Sequence, residues 1–449
     1  MFILNCCGGI IMIHRTKVCA LYLLSMCIIL AGCTKEATQE PITLTVNYPS
    51  ERLFYQKYGR DFEHKYPNIT IKVIDPNLIE NSENINVDII FINQLKVYKQ
   101  MIEKGKLLNL DPLIQNSKYP LSEITPIALQ SLRSDLNGGI YGLSPTFISH
   151  ALFYNKDLFI EYGIPFPTNQ MTWSEVLDLA ERFPTNNASG KRVYGFKSDY
   201  YMNIAFSMIL RMGQTEGLTF INPTTLQVNL SSAEWREIFN KVVESFRKGV
   251  IYDQEESETG EIAPSPILTN TAAMEIQSYS MAYNFDSYSE FIGGNPINWD
   301  MVTVPVPTRN KNQSDYYEIH EIYSISNSTP YKEEAWKFID FVTNNDQNMG
   351  AKHEKQLLSG LPVKTDLIKP VGNHDVSPLF LLDPAPYSND PYDAVNYEIL
   401  NAFKEVGQKV VEDTIQNALS IDEAIQQIEI EGQRAVDGGK MRLELDRNQ

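Results

Sequence analysis

The stretch Leu152 to Phe183, LFYNKDLFIEYGIPFPTNQMTWSEVLDLAERF, leaves little freedom in how it can fold. Thr172 stands where an N-cap belongs, Glu175 closes a capping box with it, and Met171 and Val176 fill the positions of a hydrophobic staple, so a helix starts near Trp173. Upstream, Phe153 and Tyr154 end an apolar run and Asn155 or Asp157 can cap a short helix. Gly163, Pro165 and Pro167 stop that helix and turn the chain. The order is strand, short helix, proline turn, capped helix.

The chain before this stretch follows the same alternation. Ile42 to Val46 alternates apolar and polar residues like a strand that ends at Asn47-Tyr48-Pro49-Ser50. Phe54, Tyr58 and Phe62 then recur as one face of a helix, Pro67-Asn68 breaks it, and Ile69 to Ile74 resumes strand character. A β-α-β opening implies a parallel pair. Val87 to Ile92 is nearly all apolar, as a strand covered on both faces requires, and it ends at Asn93-Gln94. Ligands approach open α/β sheets at such strand ends, although Asn93 and Gln94 serve equally well as helix caps. Later, Trp235, Ile238, Val242, Val243 and Phe246 make a helix stripe. Thr329-Pro330 reads as the start of another helix, with Pro at its first position, Glu333 and Glu334 in its first turn, and Ala335, Phe338, Ile339 and Val342 as its buried face.

The first residues read as an export signal. His14, Arg15 and Lys17 precede the apolar run Val18 to Ala31, and Leu30-Ala31-Gly32-Cys33 matches a bacterial lipobox in which Cys33 takes the lipid. Met12 is an alternative start. All five cysteines lie at or before Cys33, so the mature chain has no disulfide and no thiol metal ligand. Removing residues 1–32 moves the formal charge from −18 to about −20 and leaves roughly 417 residues, enough for two domains. So acidic a chain argues against nucleic acid and against docking on anionic lipid, which leaves the lipid at Cys33 as the membrane attachment.

Taken with these signals, YNKDLF (Tyr154 to Phe159), GIPFP (Gly163 to Pro167) and TWSE (Thr172 to Glu175) resemble the family 1 extracellular solute-binding proteins. These are bacterial ABC-importer receptors whose best-known relatives bind maltose and other oligosaccharides. LLNLDP (Leu107 to Pro112), GGIYGLSP (Gly138 to Pro145), VYGF (Val193 to Phe196) and TAAMEIQSY (Thr271 to Tyr279) are similar to family segments in the same order. So are VTVPVP (Val302 to Pro307), KEEAWKFI (Lys332 to Ile339), GLPV (Gly360 to Val363) and SIDEAIQQI (Ser420 to Ile428). The resemblance implies that Val302 to Pro307 and Gly360 to Val363 are crossings between lobes. It makes Trp173 and Trp336 packing residues. One departure stands out: where relatives have a glycine-rich run, this chain has Tyr316-Tyr317-Glu318-Ile319-His320-Glu321, which alters the expected pocket.

The ligand-contact candidates are Tyr48, Ser50 and Glu51 after the first strand, Asn93 and Gln94 after the buried strand, Tyr141, Asp199 and Tyr200, and Ser278 and Tyr279 at the end of TAAMEIQSY. An acid beside tyrosines suits a sugar, whose C–H face stacks on a ring while its hydroxyls donate to the carboxylate. Tyr141 fits the core as well as a pocket wall, and Asp199 to Tyr201 fits an exposed loop. The acidic Glu255 to Glu261 lacks an EF-hand spacing and reads as a solvated loop.

No catalytic constellation is legible. Gly142-Leu143-Ser144-Pro145-Thr146 falls one glycine short of a nucleophile elbow, no metalloprotease, Walker or dinucleotide motif occurs, and His64, His150, His320, His353 and His374 are scattered. No metal and no cofactor is expected.

The fold class implied is α/β: two discontinuous lobes joined by a hinge of crossing strands, periplasmic-binding-protein-like (type II). Residues 1–32 are the leader, 33–41 a tether, 42–147 with 305–362 the first lobe, and 148–304 with 363–449 the second. The expected function is a monomeric, lipid-anchored receptor on the extracellular face of the cytoplasmic membrane. It captures a small solute, an oligosaccharide by resemblance, and delivers it to ABC permease subunits. A secreted carbohydrate-active hydrolase and a receptor for a membrane sensor are the alternatives.

Overall fold

The computed structural model describes residues 40–76, 86–185, 190, 192–198, 204–253, 265–291, 293, 297–346, 349–350, 359–385, 391–392 and 395–447. The leader, Cys33, Asp199 to Tyr201, Glu255 to Glu261 and His353 therefore lie outside the described residues. In chain order the strands are β1 (Ile42–Asn47), β2 (Ile69–Ile74), β3 (Ile89–Ile92), β4 (Gly142–Leu143), β5 (Thr146–Asn155), β6 (Tyr194–Lys197) and β7 (Ala272–Ser278). They continue as β8 (Trp299–Thr303), β9 (Gln313–Ser314), β10 (Tyr317–Glu318), β11 (Ile322–Ile325), β12 (Leu361–Pro362) and β13 (Asp383–Pro384).

Two larger sheets result. The first has the order β2-β1-β3-β11-β4: β1 runs parallel to β2 and β3, and β11 is antiparallel to β3 and β4. The β-α-β opening is thus present, with Leu44 opposite Ile71 and Val46 opposite Ile89. In the second sheet β5 pairs antiparallel with β7 and β8, and β6 runs parallel to β7. The order β10-β5-β7-β6 has β12 as a further partner of β5.

Helix stripes cover the first sheet as their periodicity requires. Phe54, Tyr58 and Phe62 are buried, and Phe338 of the helix Lys332–Asn344 stacks on Phe54 at 5.6 Å and meets Phe62 edge-on at 5.2 Å. Burying each such ring contributes roughly 1.5–3 kcal/mol. Pro330 is not the first helical residue; the helix begins at Lys332, after Tyr331. The reason lies in Thr329, whose Oγ1 donates to Asp88 Oδ1 and accepts from the Tyr331 N–H, so its side chain is used to pin the approach. Trp336 is buried against Tyr119.

The helix over Glu51–Phe54 and Arg60–Lys65 is interrupted by a π turn at Tyr55–Gly59. A Cβ on Gly59 would stand 2.7 Å from the Tyr55 ring, so only glycine allows that close packing. Such single-turn bulges re-aim side chains and recur at functional sites. Lys57 and Tyr58 sit in this one.

The stretch Leu152 to Phe183 folds as its letters dictate. Asn155 Oδ1 accepts from the Asp157 and Leu158 N–H groups at the head of the helix Lys156–Glu161. Thr172 and Glu175 form the reciprocal capping box of the helix Trp173–Ala180. Trp173 is buried, its indole N–H donating to Thr215 Oγ1 at 3.2 Å. The helix Ile421–Arg447 opens with Ser420 and Glu423 bonded reciprocally and packs on the helix Tyr397–Ile415. Among the described residues no helix is long and apolar enough to cross a membrane, and no cluster of acidic, His or Cys side chains could hold a metal ion.

Candidate functional site

Three chain segments converge where the chain passes from β4, at the first sheet's edge, to β5 of the second sheet. β12 pairs with β5 at Thr146 and Phe147, and β10 pairs with it at Ile148 and Ser149. The first residues of β5 are therefore flanked by the two later passages of the chain. The passage back to the first sheet is made by β10 and β11. The earlier Val302 to Pro307 segment instead closes β8, and its Val306 bridges Thr172. Ser144 Oγ lies 2.7 Å from the carbonyl oxygens of both Thr146 and His320, and the Val363 N–H donates to Pro145 O at 3.0 Å. Ser144 thus serves the backbone.

Glu321, the residue before β11, is the polar centre of this zone. Lys57 Nζ donates to its Oε1 at 2.6 Å and to Ser359 Oγ at 2.5 Å; Ser359 Oγ is itself 3.0 Å from Oε1. The Tyr58 hydroxyl donates to Oε2 at 3.0 Å, and the Tyr48 hydroxyl lies 3.5 Å from Oε1. Only 7% of the Glu321 side chain and 13% of Lys57 remain exposed. Glu321 also has φ +56°, a conformation costly for a side chain longer than glycine's. Such strain persists only where surrounding contacts hold it, and it clusters at functional sites. Burial, reinforced by the Glu321 charge, pushes the hydroxyls of Tyr48, Tyr58 and Tyr323 well above the ordinary tyrosine range. All three remain protonated, as Tyr58 and Tyr48 must be to donate to the Glu321 carboxylate.

The run Tyr316 to Glu321, the departure noted in the sequence, builds the wall beside Glu321. Tyr316 and Tyr317 are buried. Arg211 lies over the Tyr316 ring at 3.6 Å and pairs with Asp315 at 3.1 Å, and His150 packs on the ring's other neighbourhood with centroids 5.7 Å apart. His320 presents Nε2 to Glu318 at 2.9 Å and Nδ1 to the Asn93 carbonyl at 3.0 Å. Both partners are acceptors, so both bonds are complete only in the imidazolium. The hydrogen bond to Glu318 accordingly raises the His320 pKa, and the bond from His320 lowers that of Glu318. His320 thus bonds Glu318 directly and lowers its pKa most, and the charge of His150 adds in the same direction.

The sequence candidates divide into groups. Tyr48 is buried against Phe91 and Phe54, with its hydroxyl toward Glu321. Tyr279, half-buried, follows β7 and donates its N–H to Ser149 O. Burial raises its hydroxyl pKa, with the Glu321 charge adding. Tyr48 thus reaches the crossing segments from the first sheet, and Tyr279 reaches them from the second through Ser149, the partner of Tyr317. Asn93 is exposed and joins the zone through its carbonyl. Gln94 is exposed at the N-cap of the helix Leu95–Glu103 and makes no side-chain capping bond. Ser50 Oγ accepts from the Leu53 N–H and caps its helix, and Glu51 is exposed in that helix's first turn. Ser278 Oγ is 2.7 Å from Ser280 Oγ. Tyr141 is half-buried, its hydroxyl accepting from Asn137 Nδ2 at 2.8 Å, and it is not drawn to Glu321. Asp199 and Tyr200 lie outside the described residues.

Sequence reasoning missed Lys57, Tyr58 and Ser359, and it met Glu321 only as part of an unusual run. A separate cavity of about 260 Å³, lined by Trp173, Met212, Ile238, Glu216, Thr308 and Arg309 among others, lies beside the capped helix, and none of the candidates above lines it.

No curated protein sequence matches the chain. Solved structures do match its fold. An extracellular solute-binding protein family 1 member from Alicyclobacillus acidocaldarius is 17% identical with a TM-score of 0.65, over 89% of this chain and 100% of that one. The sugar-binding protein MalE from Xanthomonas citri is 16% identical with a TM-score of 0.63, over 90% and 99%. An ABC substrate-binding protein from Listeria monocytogenes, in complex with cycloalternan, is 18% identical with a TM-score of 0.53, over 89% and 100%. The fold is the α/β periplasmic-binding-protein fold of MalE-like proteins. The sequence profile of the bacterial extracellular solute-binding proteins matches residues 48–349, most of the chain, and the chain belongs to that family, whose members are binding proteins and not enzymes.

Proposed function

We propose that this protein is a monomeric receptor that captures a saccharide between its two sheets and presents it to an ABC permease, held at the membrane by lipid on Cys33. The observation that carries the ligand site is the placement of Tyr48, whose hydroxyl faces Glu321, and of Tyr279, whose N–H donates to Ser149 opposite Tyr317, so that each sheet brings one tyrosine to the crossing segments. Aromatic side chains that carry hydroxyls suit a sugar's alternating C–H and O–H surfaces. The Listeria neighbour bound to cycloalternan supports the same class.

The lobes we propose are 42–147 with 319–362 and 148–318 with 363–449, the return passage lying at β10 and β11 and not at residue 305 as the sequence suggests, with the hinge where β10 and β12 flank the start of β5. A ligand that touches both lobes favours their closed arrangement by its differential affinity, and the permease reads that state.

Thermal shift of the chain from residue 34 onward against an oligosaccharide panel tests the proposal. A ligand at 100-fold over its Kd adds roughly 2.7 kcal/mol of stability. A shift with a peptide or polyol and none with any sugar would overturn the ligand class. Tyr279→Ala should weaken sugar binding by about 1 to 3 kcal/mol, the range for stacking on an aromatic ring; unchanged affinity by calorimetry would return Tyr279 to a packing role.

A further inference from the structure

The polar contacts of Glu321 reach three separate parts of the chain. Lys57 and Tyr58 come from the π turn packed on the first sheet. Glu321 itself ends the passage from β10 to β11, and Ser359 precedes β12, the third passage. Ser144, before β5, adds the first passage by its contact with the His320 carbonyl. Any change in the angle between the sheets must reorient these passages. Each of them is tied, directly or through one neighbour, to one carboxylate.

We infer that Glu321 is a positioning residue for ligand capture: through Lys57, Tyr58 and Ser359 it pins the crossing segments and sets the arrangement of the two sheets before ligand arrives. Its own oxygens are already taken by those partners and it is nearly buried, so it acts through the hinge and not by touching ligand. The left-handed backbone at Glu321 fits this role, because a residue held in a disfavoured conformation stores a bias that breaking its contacts releases. The apparent affinity of a two-state receptor scales with the fraction already in the competent arrangement. Glu321 therefore tunes affinity from outside the contact surface. This inference rests on the two-lobed receptor reading, not on the ligand being a sugar.

The test needs no ligand. The chain from residue 34 onward carries every described element and has no cysteine. Gln115→Cys and Asn240→Cys, both at exposed positions, place a dye pair on helices belonging to the two halves. Single-molecule energy transfer then reads the distance between them. Glu321→Gln should shift or split the distance distribution, and Ser359→Ala should shift it in the same direction by less. Glu275→Gln, which disrupts a buried pair inside the second sheet, should lower stability and leave the distribution in place. Folded Glu321→Gln and Ser359→Ala proteins with the parent distribution would overturn the inference. If Glu321→Gln fails to fold, Ser359→Ala decides alone. A panel without a sugar hit would refute the saccharide and leave this measurement untouched.

Discussion

Among the described residues two lysine–glutamate pairs have both partners largely buried, and they arise in different ways. Lys197 and Glu275 are direct ladder partners on the parallel strands β6 and β7, 3.4 Å apart, and Gln277 and Ser265 complete the coordination of Glu275. Lys57 and Glu321 lie 264 residues apart in the chain and meet because three passages and a π turn converge. The first pair is a consequence of strand register. The second does the opposite: it joins the π turn to segments that belong to different ladders, β11 in the first sheet and β12 on β5. Charge burial near the crossings therefore links segments distant in sequence, whereas charge burial inside the sheet links neighbouring strands.

The largest effect is expected where the register of β6 is set. Gly195 faces the end of the helix Trp173–Ala180 so closely that an added Cβ would stand 2.1 Å from the Ala180 carbonyl oxygen. That obstacle is backbone and cannot rotate away. Gly195→Ala should cost about 3 kcal/mol or more, the upper range for overpacking, as read by chemical denaturation. A tolerated alanine would mean that β6 slides freely and that register does not explain the Lys197–Glu275 pair.

Lys57→Met comes next. It leaves the Glu321 carboxylate nearly buried with only hydroxyl donors, and breaking such a pair one-sidedly should cost about 2 to 3 kcal/mol, slightly below the fully buried case. The double variant with Glu321→Met would regain part of that loss, because no lone charge remains. If Lys57→Met is neutral in denaturant titration, the crossing zone is held by backbone pairing alone.

These two regions also mark what the sequence could disclose. The capping box at Thr172 and Glu175, the Asn155 cap and the stripe of Phe54, Tyr58 and Phe62 are local patterns whose partners lie within a few residues, and each is present in the structure. Glu321 has no such signature. Its partners are 263, 264 and 38 residues away, and the turn that aims Lys57 and Tyr58 depends on a π insertion that helical periodicity does not show. Tyr279 is a candidate through the resemblance of TAAMEIQSY to a family strand, and the structure places it directly after β7. Asn93 is a candidate because it ends a buried strand, and its carbonyl, not its side chain, meets His320. Pro330 misled because the hydrogen bonds of Thr329 delay the helix to Lys332.

Thr172→Ala sharpens the register side of the comparison at smaller cost. It removes the acceptor for the Glu175 N–H and should cost about 1 kcal/mol, the usual loss of an N-cap. Glu175 has its pKa lowered first by Lys311 and then by the Thr172 backbone, so part of the local order survives. Thr172→Ser should restore most of the stability in thermal melts. A loss as large as that of Gly195→Ala would show that the cap, and not the packing behind it, sets β6.

The smallest effect lies on the crossing side, in the pair His320–Glu318. His320 has a raised pKa, mainly through its hydrogen bond to Glu318, so its contribution is fully present below the ordinary value of 6.5 and is lost as pH rises through the higher folded value. Glu318 has a lowered pKa, mainly through the same bond, so its contribution is present above the ordinary value of 4.5 and is lost as pH falls through the lower folded value. The link is therefore complete between pH 4.5 and 6.5, with Glu321 adding to it at His320 and His150 and Arg211 adding to it at Glu318. Side chains 38% and 59% exposed are screened by solvent, which keeps the stabilisation below about 1 kcal/mol. His320→Gln keeps a donor for the Asn93 carbonyl but cannot carry the charge. The stability of the parent relative to His320→Gln should peak in that window and shrink at alkaline pH. A difference that stays flat from acid to alkaline pH would assign His320 a purely packing role, and the crossing zone would then depend on Glu321 alone for its charge.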